Sequence, residues 1–256
     1  MTEDTIWSAL LEEAARVAEE EPGLAAMLRH TILNQPDLES AVAERVAGKL
    51  EGHGLDPATL RMLFREAYAS SPGVAEDLRC DLRAIVERDP AADTPLEPLL
   101  FYKGFHAISA YRVAHFLWNE GRRVMARLMQ SMMSEALAVD IHPAAEIGCG
   151  ILLDHATSFV AGETAIIEDN VSILHEVTLG GTGKEHGARH PIIRSGVLIG
   201  AGAKILGRVV IGEGVKVGAG SVVLSDAPPH TTIVGVPAEV IGVVEGSPAA
   251  EMNQRV

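Results

Sequence analysis

One stretch of this 256-residue chain repeats every six residues. Between residues 193 and 223 an aliphatic residue returns at each sixth position without a break: Ile193, Ile199, Ile205, Ile211, Val217 and Val223. This period differs from the 3.6 of a helix and from the 2 of a simple strand. It predicts a hexapeptide coil, in which every six residues form one side of a prism, point an aliphatic side chain inward and stack on the turn below.

The same period begins upstream and is then interrupted. It runs through one phase from residue 141 to residue 177: Ile141, Ile147, Leu153, Phe159, Ala165, Val171 and Val177. The next aliphatic position is Ile193, a step that predicts two regular repeats plus four extra residues. The glycine-rich segment 180–191 is expected to form a loop there, and loops inserted into such coils often carry function.

The chain before residue 139 has the pattern of helices. Apolar residues recur at three-and-four spacing from Ile6 to Val17, and Asp56-Pro57 is a helix-start signal. Two long helices are predicted at 97–119 and 122–138. The predicted fold class is α+β: an all-helical domain at 1–138, a parallel β-helix at 139–242 and a flexible tail at 243–256.

Composition limits the classes of protein to consider. Hydrophobic residues make up 47% of the chain but aromatic residues only 4%, which suits a core of stacked aliphatic side chains. A net charge of −14 argues against a nucleic-acid surface or an anionic membrane surface. The two cysteines, Cys80 and Cys149, form no disulfide framework. Because no signal peptide and no run of ~20 apolar residues is seen, a cytoplasmic location is expected.

Several motifs together resemble bacterial serine acetyltransferases over about residues 5–242. They are DIHPAAEIG at 140–148, LDHAT at 153–157, GGTGK at 180–184, RHP at 189–191 and GAGAKILG at 200–207, with LFYKGFHA at 100–107 and RVAH at 112–115 in the helical region. The resemblance implies a left-handed parallel β-helix that forms trimers, with the N-terminal helices joining two trimers into a hexamer. It also implies transfer of an acetyl group from acetyl-CoA to the L-serine hydroxyl, the first step of cysteine biosynthesis.

Catalytic roles follow from the resemblance. His155 matches the general base, and histidine suits this role because its ordinary pKa lies near ~6.5. Asp140 matches the carboxylate that orients the base. Without the resemblance, the pair would be interpreted as a hydrogen-bonded histidine and a turn aspartate.

Substrate-binding residues are carried over in the same way. Asp89 and Asp154 match residues implied to bind the serine amine, and Arg189 and His190 match those near its carboxylate. An arginine fork can hold both oxygens of a carboxylate. Without the resemblance, Asp89 would be interpreted as a cap before Pro90, and Arg189 and His190 as part of a solvated loop.

Acetyl-CoA is expected to lie in a groove lined by small residues, because small side chains let a ligand approach the backbone. The candidates are Gly181, Ala201 and Ala219, with Lys204 or Lys216 near phosphate.

No metal is expected. The resemblance further implies inhibition by L-cysteine and docking of the C-terminal tail into cysteine synthase. The terminal Val256 is one methylene smaller than the isoleucine usual there, which predicts weaker docking.

Three alternatives remain open from sequence alone. The enzyme could acetylate another small hydroxyl substrate such as homoserine, since one methylene in a pocket is hard to discriminate. Histidines at 142, 155, 175 and 190 leave room for a zinc-dependent γ-type carbonic anhydrase. The third alternative is a trimeric scaffold without activity. It does not explain why Asp-His pairs and the loop at 180–191, called the basic loop below, interrupt an otherwise regular coil.

Overall fold

The structure, a computed structural model, describes residues 3–183 and 186–255. Two residues named above lie outside the described ranges. They are Lys184 of the glycine-rich motif and the terminal Val256, on which the docking prediction depends.

The first part of the chain is helical, as predicted. Asp56 caps one helix through its side chain, which accepts hydrogen bonds from the Ala58 and Thr59 backbone N–H groups, and Pro57 occupies the first turn. A π-helical turn, Arg29–Leu33, directly follows the second helix. The helices are α1 (Glu3–Glu20), α2 (Ala25–Leu28), α3 (Leu38–Leu50), α4 (Pro57–Ser70), α5 (Pro72–Arg88), α6 (Leu96–Phe101), α7 (Lys103–Asn119) and α8 (Arg123–Leu137).

The single helix predicted at 97–119 is wrong, because Tyr102 separates α6 from α7. Tyr102 has extended backbone angles, φ −80° and ψ 105°. The break turns α7 so that Gly104 packs against the backbone of Leu153, where a Cβ would lie only 1.8 Å from the Leu153 carbonyl oxygen. Tertiary packing therefore overrides the helical pattern at this point.

From Val139 onward the backbone forms a parallel β-helix. Its short strands make three parallel sheets, one for each side of the prism, and the sheets are hydrogen-bonded in the orders β1-β4-β7-β10-β13, β2-β5-β8-β11 and β3-β6-β9-β12-β14, the last ending in antiparallel β15. The strands are β1 (Val139–Ile141), β2 (Glu146–Ile147), β3 (Leu152–Leu153), β4 (Phe159–Ala161), β5 (Ile166–Ile167), β6 (Ser172–Ile173), β7 (Thr178–Gly180), β8 (Ile192–Ile193), β9 (Leu198–Ile199), β10 (Lys204–Leu206), β11 (Val210–Ile211), β12 (Lys216–Val217), β13 (Val222–Val223), β14 (Thr231–Gly235) and β15 (Ala238–Val243).

The regular repeat at 193–223 is confirmed as the inward-facing ladder. Ile193 pairs with Ile211, and Ile199 pairs with Val217, each one turn of 18 residues later. The side chains of the ladder are at most 1% exposed.

The phase predicted for the earlier repeats is wrong after Leu153. Ile141 pairs with Ala161 and not with Phe159, which instead pairs with Val139. The first turn is thus 20 residues long, and its two extra residues lie in the corner between β3 and β4. The six-residue period could not reveal these two extra residues. Each side of the prism buries two aliphatic residues that are separated by one position, such as Val171 and Ile173, so a shift of two residues lands on another buried aliphatic residue.

The predicted size of the later insertion is also wrong, because it counted two regular sides between Val177 and Ile193 where the structure has one. Leu179 and Ile193 are the inward residues of consecutive sides, since Ile167 pairs with Ile193 and Ala161 with Leu179. The step between them is fourteen residues where a regular side has six. The loop at this corner therefore has eight extra residues, not four, while its location is as predicted.

The helices and the β-helix share one continuous hydrophobic core. A buried ion pair joins α5 to α7, where the Arg112 Nε donates to Asp81 Oδ2 at 2.8 Å. Both partners also make hydrogen bonds with the β-helix, and Arg112 Nη2 donates to the Gly148 carbonyl at 2.8 Å. Asp81 also accepts from the Ile151 N–H at 2.9 Å. Whether 1–138 and 139–242 are separate folding units stays a prediction.

Part of the C-terminal tail at 243–256 packs against the helices, and the flexibility expected of the tail stays a prediction. A helical turn, α9 (Pro248–Glu251), packs beside α5 and buries Ala249 to 1% exposure. The Ser172 hydroxyl donates to the Ala249 carbonyl at 2.8 Å. The small apolar side chain and this hydrogen bond explain why the segment settles there.

Across the described ranges, no helix combines the length and apolar character that a membrane span requires.

Gly104 gives a direct test of how the helices join the β-helix. We expect Gly104→Ala to destabilise the protein by about 3 kcal/mol or more, because the added Cβ meets backbone that cannot rotate away. Gly48→Ala is the matched control in another helix, where a Cβ meets nothing within 4 Å. It should be neutral or stabilising by up to about 1 kcal/mol. Urea unfolding followed by circular dichroism measures both, and equal stabilities of the two variants would contradict this packing.

Candidate functional site

A cavity of about 320 Å³ lies where the helices meet the first turn of the β-helix. Three separate segments line it: the end of α5 with Asp89, the α6–α7 junction with Tyr102 and Lys103, and the corner after β3 with Asp154 and His155. Three of the residues predicted from the sequence therefore share one cavity, although Asp89 is far from the others along the chain.

The corner carrying His155 is the enlarged one. Most corners of the coil need one residue with positive φ, but here His155, Ala156 and Ser158 all have φ between 54° and 60°. Non-glycine residues adopt this region at a cost, so three in one corner mark backbone held in place by its surroundings. The Ser158 N–H donates to the Ala138 carbonyl, and the Thr157 carbonyl accepts from the Glu176 N–H, both at 2.7 Å. The enlarged corner leaves the His155 side chain 75% exposed.

Two carboxylates, those of Asp89 and Asp154, line the cavity. Burial raises the pKa of Asp154; the His155 imidazole opposes this rise and Asp89 adds to it. The Asp154 Oδ1 lies 3.8 Å from His155 Nε2. Burial raises the pKa of Tyr102 to about 12, and the Asp89 charge and its hydrogen bond with the Tyr102 hydroxyl contribute. The cavity thus concentrates negative charge suited to an ammonium group.

Asp140, the residue expected to orient His155, has a different hydrogen-bond partner in the described structure. Asp140 Oδ1 accepts from Gln130 Nε2 at 2.6 Å, and within the described ranges no hydrogen bond joins Asp140 to His155. The nearest ring to His155 is that of His175, one turn further along, with 5.8 Å between centroids and an edge-to-face arrangement. The His175 Nδ1 is buried without a hydrogen-bond partner. The orienting role of Asp140 stays a prediction.

Arg189 and His190 lie on a different edge of the prism, in the long loop between β7 and β8. The Thr164 hydroxyl oxygen accepts from the Arg189 N–H at 2.9 Å and the His190 N–H at 3.2 Å, and it lies 2.9 Å from His190 Nδ1. Gly162 makes room for the His190 ring, since a Cβ there would come within 2.0 Å of it. Both terminal nitrogens of Arg189 have partners: Nη2 donates to Glu163 Oε2 at 2.7 Å and Nη1 to the Gly187 carbonyl at 3.1 Å.

The site residues predicted from the sequence therefore form two groups in one chain. The group of Asp89, Asp154 and His155 lies at the edge where β3 leads to β4, and the group of Arg189 and His190 at the edge where β7 leads to β8. One side of the prism, about six residues and roughly 15–20 Å long, separates these edges. A molecule of the size of serine cannot touch both groups of the same chain.

The three small candidate cofactor residues divide between the same two edges, and the two lysines lie in strands β10 and β12. Ala201 and Ala219 stack above His155 and His175 in one column of corners, joined by hydrogen bonds from the Gly202 N–H to the His175 carbonyl and from the Gly220 N–H to the Ala201 carbonyl. Gly181 lies at the other edge, where a Cβ would contact Arg189 at 3.4 Å. The Lys204 and Lys216 amines each donate to a backbone carbonyl, that of Glu176 and that of Arg255 respectively.

Sequence reasoning missed Tyr102 and Lys103 as cavity residues. The Lys103 amine donates to the Thr157 hydroxyl and so ties the start of α7 to the enlarged corner. Two sequence signals were present: both residues lie in the LFYKGFHA motif at 100–107, and Gly104 breaks the apolar helix pattern immediately after them. Glu163 and Thr164, which hold the basic loop, carry no sequence signal of their own.

The four histidines considered as zinc ligands do not share one place, since His155 and His175 lie at one edge of the prism and His190 at another. His142 and His190 are buried, and burial lowers the pKa of His142 to about 4 and also lowers that of His190. In the part of the chain that is described, no three His, Cys, Asp or Glu side chains are arranged to hold a metal ion.

Comparison with known proteins gives one consistent result. The family model described as "Serine acetyltransferase, N-terminal" matches residues 6–110, and that described as "Bacterial transferase hexapeptide (six repeats)" matches residues 190–225. The chain is 50% identical over 252 residues to serine acetyltransferase of Escherichia coli (strain K12), covering 98% of this chain and 92% of that one.

Solved structures agree in fold. A serine acetyltransferase in complex with cysteine has a TM-score of 0.97 at 47% identity and covers 100% of both chains. The Brucella abortus (strain S19) enzyme in complex with coenzyme A has a TM-score of 0.93 at 49% identity, covering 94% of this chain and 96% of that one. The soybean enzyme complexed with serine has a TM-score of 0.91 at 54% identity, covering 93% and 98%. The β-helix is thus of the left-handed hexapeptide type that the resemblance implied.

Thr164 tests how the basic loop is held. We expect Thr164→Val to leave the Arg189 and His190 amides without their acceptor, so that both exchange hydrogen roughly tenfold faster or more. Thr182→Val, at an exposed position in the same loop, is the control. Hydrogen exchange of the peptide covering 186–191 measures the effect, and unchanged exchange in Thr164→Val would show that other contacts hold the loop.

Proposed function

The chain belongs to the serine acetyltransferase family, and from this premise we propose how its residues carry out the transfer of an acetyl group from acetyl-CoA to the hydroxyl of L-serine. The observation that carries the proposal is the shared cavity of Asp89, Asp154 and His155. Acetyl-CoA supplies the activated thioester, and the chain supplies binding, orientation and proton transfer.

His155 acts as the general base. A serine hydroxyl is a weak nucleophile at neutral pH, so its proton must leave as the oxygen attacks the thioester carbonyl. The exposed imidazole of His155 projects at the cavity, and Asp154, 3.8 Å away, stabilises the imidazolium that forms. Asp140 is the proposed orienting residue with the least support, because its hydrogen bond goes to Gln130.

Asp89 and Asp154 bind the serine ammonium group. They come from α5 and from the enlarged corner, and a cation between them relieves the repulsion that each adds to the other. Tyr102 lines the same cavity, and the Asp89 charge contributes to the raised pKa of its hydroxyl. Held in this way, the ammonium group aims the substrate hydroxyl at His155.

Arg189 and His190 bind the serine carboxylate from a second copy of the chain. The support is geometric, since one chain holds them on an edge too far from His155 for the same serine. A threefold arrangement of β-helices that sets the β7–β8 edge of one copy beside the β3–β4 edge of the next would complete each site. We therefore propose a homotrimer, with a pair of trimers as its larger form.

The groove between two such copies would hold acetyl-CoA. Ala201 and Ala219 form a shallow column above His155 on one wall, and Gly181 lies beside Arg189 on the other. Small side chains there let an extended ligand reach the backbone. Lys204 and Lys216 are the proposed phosphate contacts. To bind phosphate, each amine would break its present hydrogen bond to a backbone carbonyl.

Regulation and partners form the rest of the proposal. A relative has been solved with cysteine bound, and cysteine carries the same ammonium and carboxylate groups as serine, so L-cysteine is proposed to inhibit at the same site.

Docking of the C-terminal residues into cysteine synthase rests on the sequence resemblance alone. A cytoplasmic location is proposed because a charged thioester such as acetyl-CoA does not cross membranes unaided.

A substitution at His155 tests the base. We expect His155→Asn to lower kcat for CoA thiol release from acetyl-CoA and L-serine by roughly 10²–10⁴-fold, while asparagine keeps the positive φ of the corner. His230→Asn is the matched control, at an exposed corner histidine with φ 54° outside the cavity.

Wild-type protein should release thiol with L-serine and far more slowly with L-homoserine. Full activity of His155→Asn, or no serine-dependent release by the wild type, would contradict the proposal.

Mixing two inactive variants tests whether sites are shared. When His155→Asn and Arg189→Ala chains are co-expressed, random trimers should regain about a quarter of wild-type activity, because some interfaces join an intact His155 to an intact Arg189. Each variant expressed alone should stay inactive. If both residues act within one chain, mixing restores nothing.

A further inference from the structure

The only two cysteines of the chain meet at the junction of the helices and the β-helix, and the proposed reaction uses neither. Cys80 lies on α5, and Cys149 lies in the corner between β2 and β3. Both are partly buried, and their Sγ atoms are 2.6 Å apart. Because a disulfide bond is about 2.0 Å long, small rotations of the two side chains are sufficient to join them.

The apposition of the two thiols is held by contacts on either side of Cys149. The Arg112 guanidinium donates to the Gly148 carbonyl, and Arg88 Nη1 donates to the Gly150 carbonyl at 2.9 Å. Asp81, adjacent to Cys80, accepts from the Ile151 N–H. Three polar side chains from α5 and α7 thus fix the residues that flank Cys149, so motions that would part the thiols must break these hydrogen bonds.

We propose that Cys80 and Cys149 are a redox site, and that they form a reversible intrachain disulfide on exposure to a low-molecular-weight disulfide such as oxidised glutathione. One protein thiolate attacks the oxidant, breaks its S–S bond and releases one glutathione thiolate. The second protein thiolate then attacks the mixed disulfide and releases the other. In sum, the two protein thiols are oxidised to a disulfide, and one oxidised glutathione is reduced to two glutathione molecules.

The environment assigns an order to the two cysteines. Burial raises the pKa of the Cys149 thiol, with its neighbour Cys80 and the carboxylates of Asp169 and Asp77 contributing. Its thiolate is scarce at neutral pH, so it suits the second, intramolecular step, where the mixed disulfide is already adjacent. Cys80 makes the first attack.

The bond would connect the two segments that carry the cavity carboxylates. Cys80 is on the helix that ends at Asp89, and Cys149 precedes β3 and Asp154. The closed loop spans about 70 residues, so the cross-link removes much of the freedom of the unfolded chain. Since the thiols already touch, the folded site needs no rearrangement. This inference does not depend on the reaction proposed for the cavity.

The experiment uses the full-length protein incubated with oxidised glutathione at neutral pH, quenched with iodoacetamide and measured by intact mass and by peptide mapping without reductant. We expect the mass to fall by two hydrogens, a cross-linked peptide pair containing Cys80 and Cys149, and no alkylation. The melting temperature should rise by roughly 10 °C and return after dithiothreitol.

Cys80→Ser and Cys149→Ser are matched controls, each with a single thiol, and their melting temperatures should not respond to the oxidant. The wild-type mass alone decides the question should a variant fold poorly. Thiols that remain open to alkylation after oxidant, a glutathione adduct that persists on the wild type, or a bond between two chains would overturn the inference.

Discussion

Backbone hydrogen bonds between successive turns of the β-helix determine where every functional group can lie. Each turn repeats the register of the one below, so corners stack in columns and a residue at a corner keeps its edge throughout the coil. His155, His175, Ala201 and Ala219 share one column for this reason alone. Residues added at a corner cannot enter the ladder, so they must project from it. Both insertions of this coil, two residues at His155 and eight before Ile192, contain residues proposed to bind or activate the substrate.

The helices supply the part of the cavity lining that the corner at His155 does not. Asp81, Arg88 and Arg112 attach α5 and α7 to the first turns, and Gly104 allows the start of α7 to touch the Leu153 backbone. These contacts place Asp89 and Tyr102 against Asp154. The junction thus forms a cavity with two carboxylates. Burial raises the pKa of Asp154, so its charged form is unfavourable there unless a positive charge lies beside it. An ammonium group is the natural occupant.

Much of this could be predicted from the sequence. The inward ladder, the change from helices to coil at residue 139 and the position of the long loop follow from the period, which is a direct consequence of side-chain burial. The length of each insertion could not be predicted. Buried positions two residues apart hide the shift of two residues at His155, and the period does not tell how many regular sides lie between Val177 and Ile193. The break at Tyr102 depends on packing against Leu153, which no local pattern contains. The separation of Arg189 and His190 from His155 depends on which corner each occupies, and that requires the correct register.

The central claim is that one serine is held between the β3–β4 edge of one chain and the β7–β8 edge of another. The most direct measurement is a crystal structure of the assembled protein with serine bound. The account predicts the serine ammonium between Asp89 and Asp154, its hydroxyl within hydrogen-bond distance of His155 Nε2, and its carboxylate on Arg189 of a neighbouring copy. A serine held by His155 and Arg189 of the same chain, or bound away from the cavity, would contradict it.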